Sequence, residues 1–448
     1  MTNFRFTTAS SIGLLRRTIF ALGAMSILAR AMIAQTTPAL PPPDAAGFEH
    51  VVVVMMENRS FDHFLGWLPG ANGQQAGLIF KDSAGLQHTT HYLPPDYQGC
   101  AFLDPGHSYT DGRIQYEKGA SDGWLFNGSD ASSTNPQQAN DIFSIGYYRQ
   151  GDLPFLGAAG PAFTVCDNYF SGIMAETYPN RFHMHAAQTD RLTNTSATST
   201  LPTIWDRLRE KGLSGRYYFS DLPFLALWGT TYANISKPFS QFLIDAQNGT
   251  LPNVAYIDPR FEDEGSGTSG DDHPHADIRD GEVFLNQIYN AVSTSPNWSK
   301  TVLIINFDEW GGFFDHVPPP LAPIPTASAA AGIPDGRLGF RVPCVIISPY
   351  AQRNFIAHNQ YDHTSILKMI EWRFGLPPLT VRDQTANNLA EVLNFAAPDV
   401  TAPLFNVPTG PFGTPCPPVV PSPALTTQSA SLQQLKALAL KSGFQGVR

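Results

Sequence analysis

Long uninterrupted apolar runs stand out along the chain, and polar residues follow several of them directly. Residues 50–56 and 301–307 are rich in Val, Ile and Leu and show no alternation of apolar and polar positions. An unbroken β-branched run is typical of a strand buried on both faces, as in a parallel sheet. Similar runs at 254–257 and 342–348 predict two further strands.

Helical periodicity appears between these runs. Apolar residues spaced for one helix face predict amphipathic helices at 203–211, 281–293, 365–374 and 431–442. A further helical stretch is predicted to open at Glu57 and to run through Trp67. Buried strands that alternate with helices indicate a three-layer α/β/α sandwich around a mostly parallel central sheet.

Three parts of the chain are distinguished by composition. The pattern of residues 1–34 predicts an export signal, because arginines precede a short apolar run and small residues follow that run. The run is shorter than the about 20 residues of a membrane-spanning helix. We therefore expect a periplasmic or extracellular protein, exported by the ordinary secretory or the twin-arginine route. Residues 45–400 predict the catalytic body, and 401–448 a Pro-rich strap with a short helix docked on it.

Charge and cysteine content narrow the class of protein. The formal net charge is −10. Residues 1–34 contain four arginines and no acids, so their removal changes the charge to −14. This acidic balance argues against a nucleic-acid partner. No later segment is apolar enough to predict a membrane span. The four cysteines form no CxxC motif and leave three disulfide pairings open, Cys100–Cys416 among them. Cys344 lies in a predicted strand and is expected to be a buried thiol.

Two acidic pairs follow the two longest strand runs. They are Glu57-Asn58 and Asp308-Glu309. Because ligands bind at the carboxyl ends of strands in open α/β sheets, we expect these four side chains to converge there. Three carboxylates and one amide oxygen favour one hard divalent ion, so Ca²⁺, Mg²⁺ or Mn²⁺ rather than Zn²⁺. The alternative is simple helix capping by acids and Asn.

Thr177 lies in Thr177-Tyr178-Pro179-Asn180-Arg181 and is the predicted nucleophile. A threonine at a helix start can face an anion, and a metal that lowers the pKa of its hydroxyl would make it a usable nucleophile and a further metal ligand. The competing interpretation is that Thr177 only caps a helix beginning at Pro179.

Several histidines lie in polar turns rather than on apolar faces. His107, His273 and His316 are candidates for binding phosphate or protonating a leaving oxygen. His363 stands at a predicted helix start and is assigned a structural role. The acidic and histidine residues of 271–275 leave a second, zinc-type metal site open as an alternative.

Six segments in order carry a family resemblance. They are 57–63, 177–181, 271–274, 308–318, 339–349 and 361–365, and together they span most of the chain. The sequence resembles the bacterial and plant phosphoesterase family that holds non-specific phospholipases C and secreted acid phosphatases.

This resemblance implies an alkaline-phosphatase-like fold and one divalent metal held by Glu57, Asn58, Asp308 and Glu309. It also implies that Thr177 joins the metal and forms a phospho-enzyme, that His107 and His273 assist at the phosphate, and that His316 is a weaker candidate. The expected substrate is a phosphate ester, which includes the head groups of phospholipids at a membrane surface.

Three other functions remain open at this point. The family's acid phosphatases, which act on monoesters, share the same motifs. A metal-binding surface protein without catalysis is a second possibility, although the nucleophile and all proposed ligands are present. A sulfatase-like enzyme generally requires a modified Cys or Ser, which Thr177 does not supply.

Overall fold

The computed structural model describes residues 39–126, 140–262, 267–417 and 423–448, with side chains of the last range from residue 430. All of these residues belong to one compact unit, Thr37–Arg448. The predicted export signal at 1–34 lies outside the described residues.

The elements are numbered here in chain order. The strands are β1 His50–Met56, β2 Ile79–Lys81, β3 Gln87–Thr89, β4 His91–Tyr92, β5 Gly146–Tyr147, β6 Thr164–Cys166, β7 Tyr169–Phe170, β8 Gly215–Phe219, β9 Ser236–Pro238, β10 Val254–Asp258, β11 Thr301–Phe307, β12 Cys344–Ile347, β13 Phe355–Ala357 and β14 Tyr361–Asp362. The α-helices are α1 Phe61–Leu65, α2 Tyr109–Tyr116, α3 Leu156–Ala162, α4 Thr177–Ala186, α5 Ile204–Glu210, α6 Phe239–Gln247, α7 Ile278–Ser293, α8 Thr326–Ala330, α9 His363–Phe374, α10 Val381–Thr385 and α11 Pro423–Lys441.

One eight-stranded sheet organises the body, in the order β13-β6-β12-β11-β1-β10-β8-β9. Strand β12 runs antiparallel to both of its neighbours, β11 and β6. The other adjacent strands pair in parallel. The prediction of a mostly parallel central sheet is therefore confirmed.

Helices cover both faces of this sheet. Every residue of β1, β10, β11 and β12 is buried, which requires packing partners above and below the sheet. Helix α7 contacts β11, α6 contacts β8, and α3 contacts β6 and β12. The three-layer α/β/α sandwich predicted from the sequence is confirmed.

The predicted helix opening at Glu57 is wrong at its start. Asn58 has a φ of 57°, in the left-handed region, so the helix cannot pass through it. Helix α1 begins only at Phe61, after Ser60 accepts a hydrogen bond from the backbone N–H of His63 as the N-cap. The segment that carries the first acidic pair is thus a loop.

The other elements differ from prediction mainly at their ends. Strand β12 is shorter than the predicted run 342–348, helix α7 begins three residues earlier than predicted, and α9 begins at His363. Helix α11 extends further toward the N-terminus than the predicted 431–442. These differences are of the kind expected at element ends, where capping decides the boundary.

The C-terminal part of the chain packs onto the body. Residues 401–417 form no helix or strand and are joined to the body by the disulfide Cys100–Cys416. Helix α11 follows and packs against the 3-10 turn Phe224–Trp228, and its Leu435 and Ala439 are buried. Cys166 and Cys344 are buried free thiols. In the described residues, no helix is both long and apolar enough to cross a membrane.

The disulfide is expected to stabilise the folded state, because it joins residues 316 positions apart and so restricts the unfolded chain. Replacing both Cys100 and Cys416 by Ser should lower the free energy of unfolding by about 3–5 kcal/mol. Urea denaturation measures the difference. A reducing agent should bring the natural protein down to the variant's stability and leave the variant unchanged. Equal stability of the two proteins without reductant would contradict this prediction.

Candidate active site

The two acidic pairs lie at adjacent strand ends. Strands β1 and β11 pair in parallel with Met56 opposite Phe307, so Glu57 and Asp308 leave the sheet side by side. The backbone N–H of Asp308 donates to the carbonyl of Met56 at 3.0 Å. The backbone N–H of Asn58 donates to Oδ1 of Asp308 at 3.2 Å. Parallel pairing, not sequence proximity, therefore brings residues 250 positions apart into one site.

Two glycines allow the surrounding loops to approach. A Cβ added at Gly311 would lie 2.2 Å from the carbonyl oxygen of Asn58. One added at Gly312 would lie 2.5 Å from the carbonyl oxygen of Gly106, beside His107. Both glycines also have positive φ values, of 64° and 70°. Glycine after the Asp308-Glu309 pair is thus needed to bring Asn58 and His107 close to it.

Thr177 is the first residue of α4, and Glu176 before it is the N-cap. The Oγ1 atom of Thr177 is buried and makes no hydrogen bond to the part of the chain that the structure describes. The alternative that Thr177 caps a helix beginning at Pro179 is therefore wrong. Asn180 fixes the preceding turn instead, because its side chain accepts from Ile173 N at 2.9 Å and donates to the carbonyl of Ala175 at 2.7 Å.

Arg181, one turn after Thr177, lies among buried carboxylates. Its guanidinium is 2.9 Å from Oε1 of Glu57, 2.8 Å from Oδ1 of Asp258 and 3.5 Å from Oδ2 of Asp308. All four side chains are almost fully buried. The sequence analysis assigned no role to Arg181 or Asp258. Asp258 ends β10, on the other side of β1 from β11, so a search for acids at the end of every predicted strand would have found it.

Negative charge is in excess in this cluster. Burial raises the pKa of Glu57 and Glu309 well above the ordinary value, and the charge of Asp308 adds to that rise at both residues. Burial also raises the pKa of Asp308, and Arg181 opposes it there. A buried carboxylate must be protonated or neutralised by a cation. Arg181 only partly supplies this charge.

His107 and His273 approach the acidic pairs from two loops. Their ring centroids lie 5.7 Å apart. Nδ1 of His107 donates to the carbonyl of Pro105 at 2.7 Å, and its Nε2 lies 3.4 Å from the Asn58 amide nitrogen and 4.0 Å from Oε1 of Glu309. Burial alone would lower the pKa of His107, but the charges of Glu309 and Asp104 raise it to about 9.

The two ring nitrogens of His273 differ in their hydrogen bonding. Its Nδ1 bonds to the carbonyl of Pro274, whereas its buried Nε2 makes no hydrogen bond to any described residue. Burial, helped by the nearby His107, lowers the pKa of His273 well below its ordinary value. The neutral ring therefore presents Nε2 as an acceptor.

His316 belongs to a different cluster. Its Nδ1 lies 2.5 Å from Oδ2 of Asp62, and its Nε2 lies 3.2 Å from Oδ1 of Asn72. Arg341 binds Asp62 at 3.1 Å and Asp315 at 2.8 Å in the same cluster. We therefore propose a structural role for His316 in place of the catalytic role that the sequence suggested.

His363 contacts the backbone of the second acidic pair, because its Nε2 lies 2.7 Å from the carbonyl oxygen of Asp308. That contact agrees with the structural role expected for it.

The zinc-type alternative at 271–275 is not assembled as the sequence suggested. Asp271 accepts from the backbone N–H of His273 and from the hydroxyl of Ser269, and Nε2 of His275 lies 3.0 Å from the carbonyl of Phe102. Within the described residues, His273 instead forms a group of possible metal ligands with Asp104 and His107. Of residues 271–275, His273 is the one that belongs to that group.

The predicted ligands fit a divalent metal ion. Each of the five has a buried oxygen that makes no hydrogen bond to the described residues. These atoms are Oε2 of Glu57, Oδ1 of Asn58, Oγ1 of Thr177, Oδ2 of Asp308 and Oε1 of Glu309. Buried polar atoms without a partner are rare in folded proteins, and an ion is one of the explanations for them. An all-oxygen set matches a hard cation.

Comparisons with known proteins identify the family. A model of the phosphoesterase family matches residues 48–377. The chain belongs to the phosphoesterase family. Like other members, this phosphoesterase is a hydrolase that acts on phosphate esters.

Two relatives of the phosphoesterase cover most of its length. Phospholipase C B of Mycobacterium tuberculosis is 31% identical over 86% of this chain and 87% of that protein. Non-specific phospholipase C1 of Arabidopsis thaliana is 32% identical over 75% of this chain and 69% of that protein. Among solved structures, the phosphonate monoester hydrolase of Agrobacterium radiobacter aligns with 11% identity over 78% of each chain, at a TM-score of 0.37.

Metal content tests the ligand set. Elemental analysis of the purified phosphoesterase should find about one divalent ion per chain. Glu57→Ala should lose it, because the variant removes a carboxylate at the site. Glu49→Ala is the matched control, since Glu49 precedes β1 and pairs with Lys300 at the surface. Full metal content in Glu57→Ala would remove Glu57 from the site.

Proposed function

We propose that this phosphoesterase is a phospholipase-C-type hydrolase that cleaves phosphodiesters through a phospho-threonine intermediate on Thr177. The observation that carries the proposal is that Thr177, at the start of α4, lines one small gap together with Glu57 of the first acidic pair. Arg181, from the same helix, binds Glu57 and Asp308 directly. Helix α4 therefore holds the nucleophile in register with the proposed ligands.

Glu57, Asn58, Asp308, Glu309 and the Thr177 hydroxyl would hold one divalent ion. When bound, this ion would lower the pKa of the hydroxyl and stabilise negative charge on the phosphoryl oxygens. The remaining steps depend on groups of the chain itself.

In the proposed mechanism, Thr177 attacks phosphorus. A new bond forms from its Oγ to phosphorus while the bond from phosphorus to the leaving oxygen breaks, and the hydroxyl proton ends, in net, on the leaving oxygen. In the second step, the oxygen of a water molecule bonds to phosphorus while the bond from Thr177 Oγ to phosphorus breaks; one proton of the water restores the Thr177 hydroxyl, and the phosphoryl product leaves. Because the buried Thr177 hydroxyl makes no hydrogen bond to the described residues, no such bond has to break before it attacks.

The two histidines divide the remaining work. His273 Nε2 is the proposed proton-transfer atom, because it is buried and its Nδ1 is fixed by the carbonyl of Pro274. His107 Nε2 lies between Asn58 and Glu309, where it can donate to a phosphoryl oxygen beside the metal ligands.

Replacement of the nucleophile tests the mechanism. Thr177→Ala should lower kcat by at least about 10³-fold, since it removes the attacking atom. Thr177→Ser should recover a large part of it. Thr401→Ala, at an exposed position of the strap, is a control that should behave as the natural protein. Acid quenching and mass spectrometry should find a phosphoryl group on residue 177 only when threonine or serine is present. Equal activity of Thr177→Ala and the natural protein would exclude this nucleophile.

Substrate preference separates the two phosphoesterase functions. The two relatives described above are phospholipases C, so we expect kcat/KM to be higher for p-nitrophenyl phosphorylcholine than for p-nitrophenyl phosphate. The reverse ratio would favour a secreted acid phosphatase acting on monoesters. Bound metal without turnover of either compound would favour a catalytically inactive metal-binding protein.

A further inference from the structure

The C-terminal helix α11 closes the apolar side of the nucleophile. A gap of about 10 Å³ separates Thr177 and Glu57 from four apolar residues, Phe224, Phe261, Leu432 and Leu435. Leu432 and Leu435 come from α11 and the two phenylalanines from the body. A gap of this size holds about one water molecule. A phosphate ester therefore cannot reach Thr177 from this side while α11 stays in place.

The apolar residues of this gap lie directly beside the charged residues around Arg181. The Arg181 guanidinium lies 4.8 Å from the ring centroid of Phe261 and 6.0 Å from that of Phe224. Thr177 itself is only 4% exposed. The part of a substrate that extends past Thr177 on this side would meet hydrocarbon, which suits an acyl or glyceride group and not a sugar or a second phosphate.

Three polar side-chain contacts illustrate how the described part of α11 is held against the body. Lys436 forms an ion pair with Glu262, and both side chains are more than one quarter exposed. Ser196 donates to Gln434 at 3.0 Å, and Tyr178 donates to the backbone carbonyl of Ser431 at 3.2 Å. Exposed ion pairs contribute little to stability. Burial of the aliphatic face formed by Leu432, Leu435 and Ala439 is therefore the main attraction that holds the helix.

We propose that residues 431–441 of α11 form a displaceable cover over Thr177, and that a phospholipid surface displaces it. In water, displacement would expose the apolar side chains of Leu435 and its neighbours, which is unfavourable. A lipid layer offers these side chains an apolar environment and removes that cost, whereas a small soluble ester does not. The disulfide at Cys416 keeps the displaced helix attached to the body. This inference rests on the proposed function, because a cover matters only if Thr177 reacts.

Thiol labelling tests the cover without requiring catalysis. Leu435→Cys places a thiol on the buried face, and Leu440→Cys places one on the outer face, where Leu440 is 59% exposed. Each variant is labelled with N-ethylmaleimide, with and without dioleoylphosphatidylcholine vesicles, and the modified residue is identified by mass spectrometry. The natural protein, with buried Cys166 and Cys344, gives the background. Ala439→Cys is a second buried position, in case Leu435→Cys fails to fold.

Vesicles should accelerate labelling of Leu435→Cys and Ala439→Cys by at least about tenfold, as expected when a protected position opens. Leu440→Cys should react rapidly in both conditions. Slow labelling of the buried positions that vesicles leave unchanged would show a fixed wall and overturn the proposal. Rapid labelling in buffer alone would show that the helix is not closed, and would also overturn it. Because the readout needs no turnover, an inactive protein with vesicle-dependent labelling would contradict only the proposed function.

Discussion

The site depends on the ion pairs that Arg181 makes with buried carboxylates at the end of the sheet. Glu57 follows β1, Asp308 follows β11 and Asp258 ends β10, and these three strands are neighbours in the sheet. The three carboxylates repel one another in a water-poor environment, which opposes the close packing of the strands. Loss of one partner from a buried ion pair costs about 3–5 kcal/mol, because the other charge is left without compensation. Arg181 offsets part of this repulsion. Since it is borne by α4, the same contact that stabilises the sheet edge also fixes the helix that begins at Thr177.

The strand-end geometry explains why so much of the fold could be predicted. Residues 50–56 and 301–307 form the two longest strands with the predicted bounds, because an unbroken apolar run has no solvent face to present. Their pairing in parallel then determines that Glu57 and Asp308 are neighbours. The same rule applied to β10 would have given Asp258. The prediction of the acidic centre was therefore incomplete rather than misdirected.

Local geometry could not be predicted in the same way. The helix expected at Glu57 is absent because Asn58 adopts a left-handed conformation, which packing against Gly311 allows and no periodicity reveals. Whether Thr177 caps a helix depends on where the helix begins, and the helix begins two residues before Pro179, at Thr177 itself. His107 and His273 could be named from their polar turns, but only the tertiary structure separates them from His316. That histidine lies in an equally polar motif and pairs with Asp62 beside Arg341.

The two buried charge clusters differ in a way that relates structure to function. In the cluster of Asp62, Asp315 and Arg341, all four carboxylate oxygens accept hydrogen bonds, two of them from Arg341, so each buried acceptor has a partner within the chain. In the cluster around Arg181, buried oxygens of the acidic pairs and of Thr177 make no hydrogen bond to the described residues. Burying such atoms lowers stability, and folded proteins retain them chiefly where a ligand or a reaction requires them. Buried oxygens that have hydrogen-bond partners thus characterise a scaffold, and buried oxygens without them characterise the place where we propose that a phosphate ester reacts.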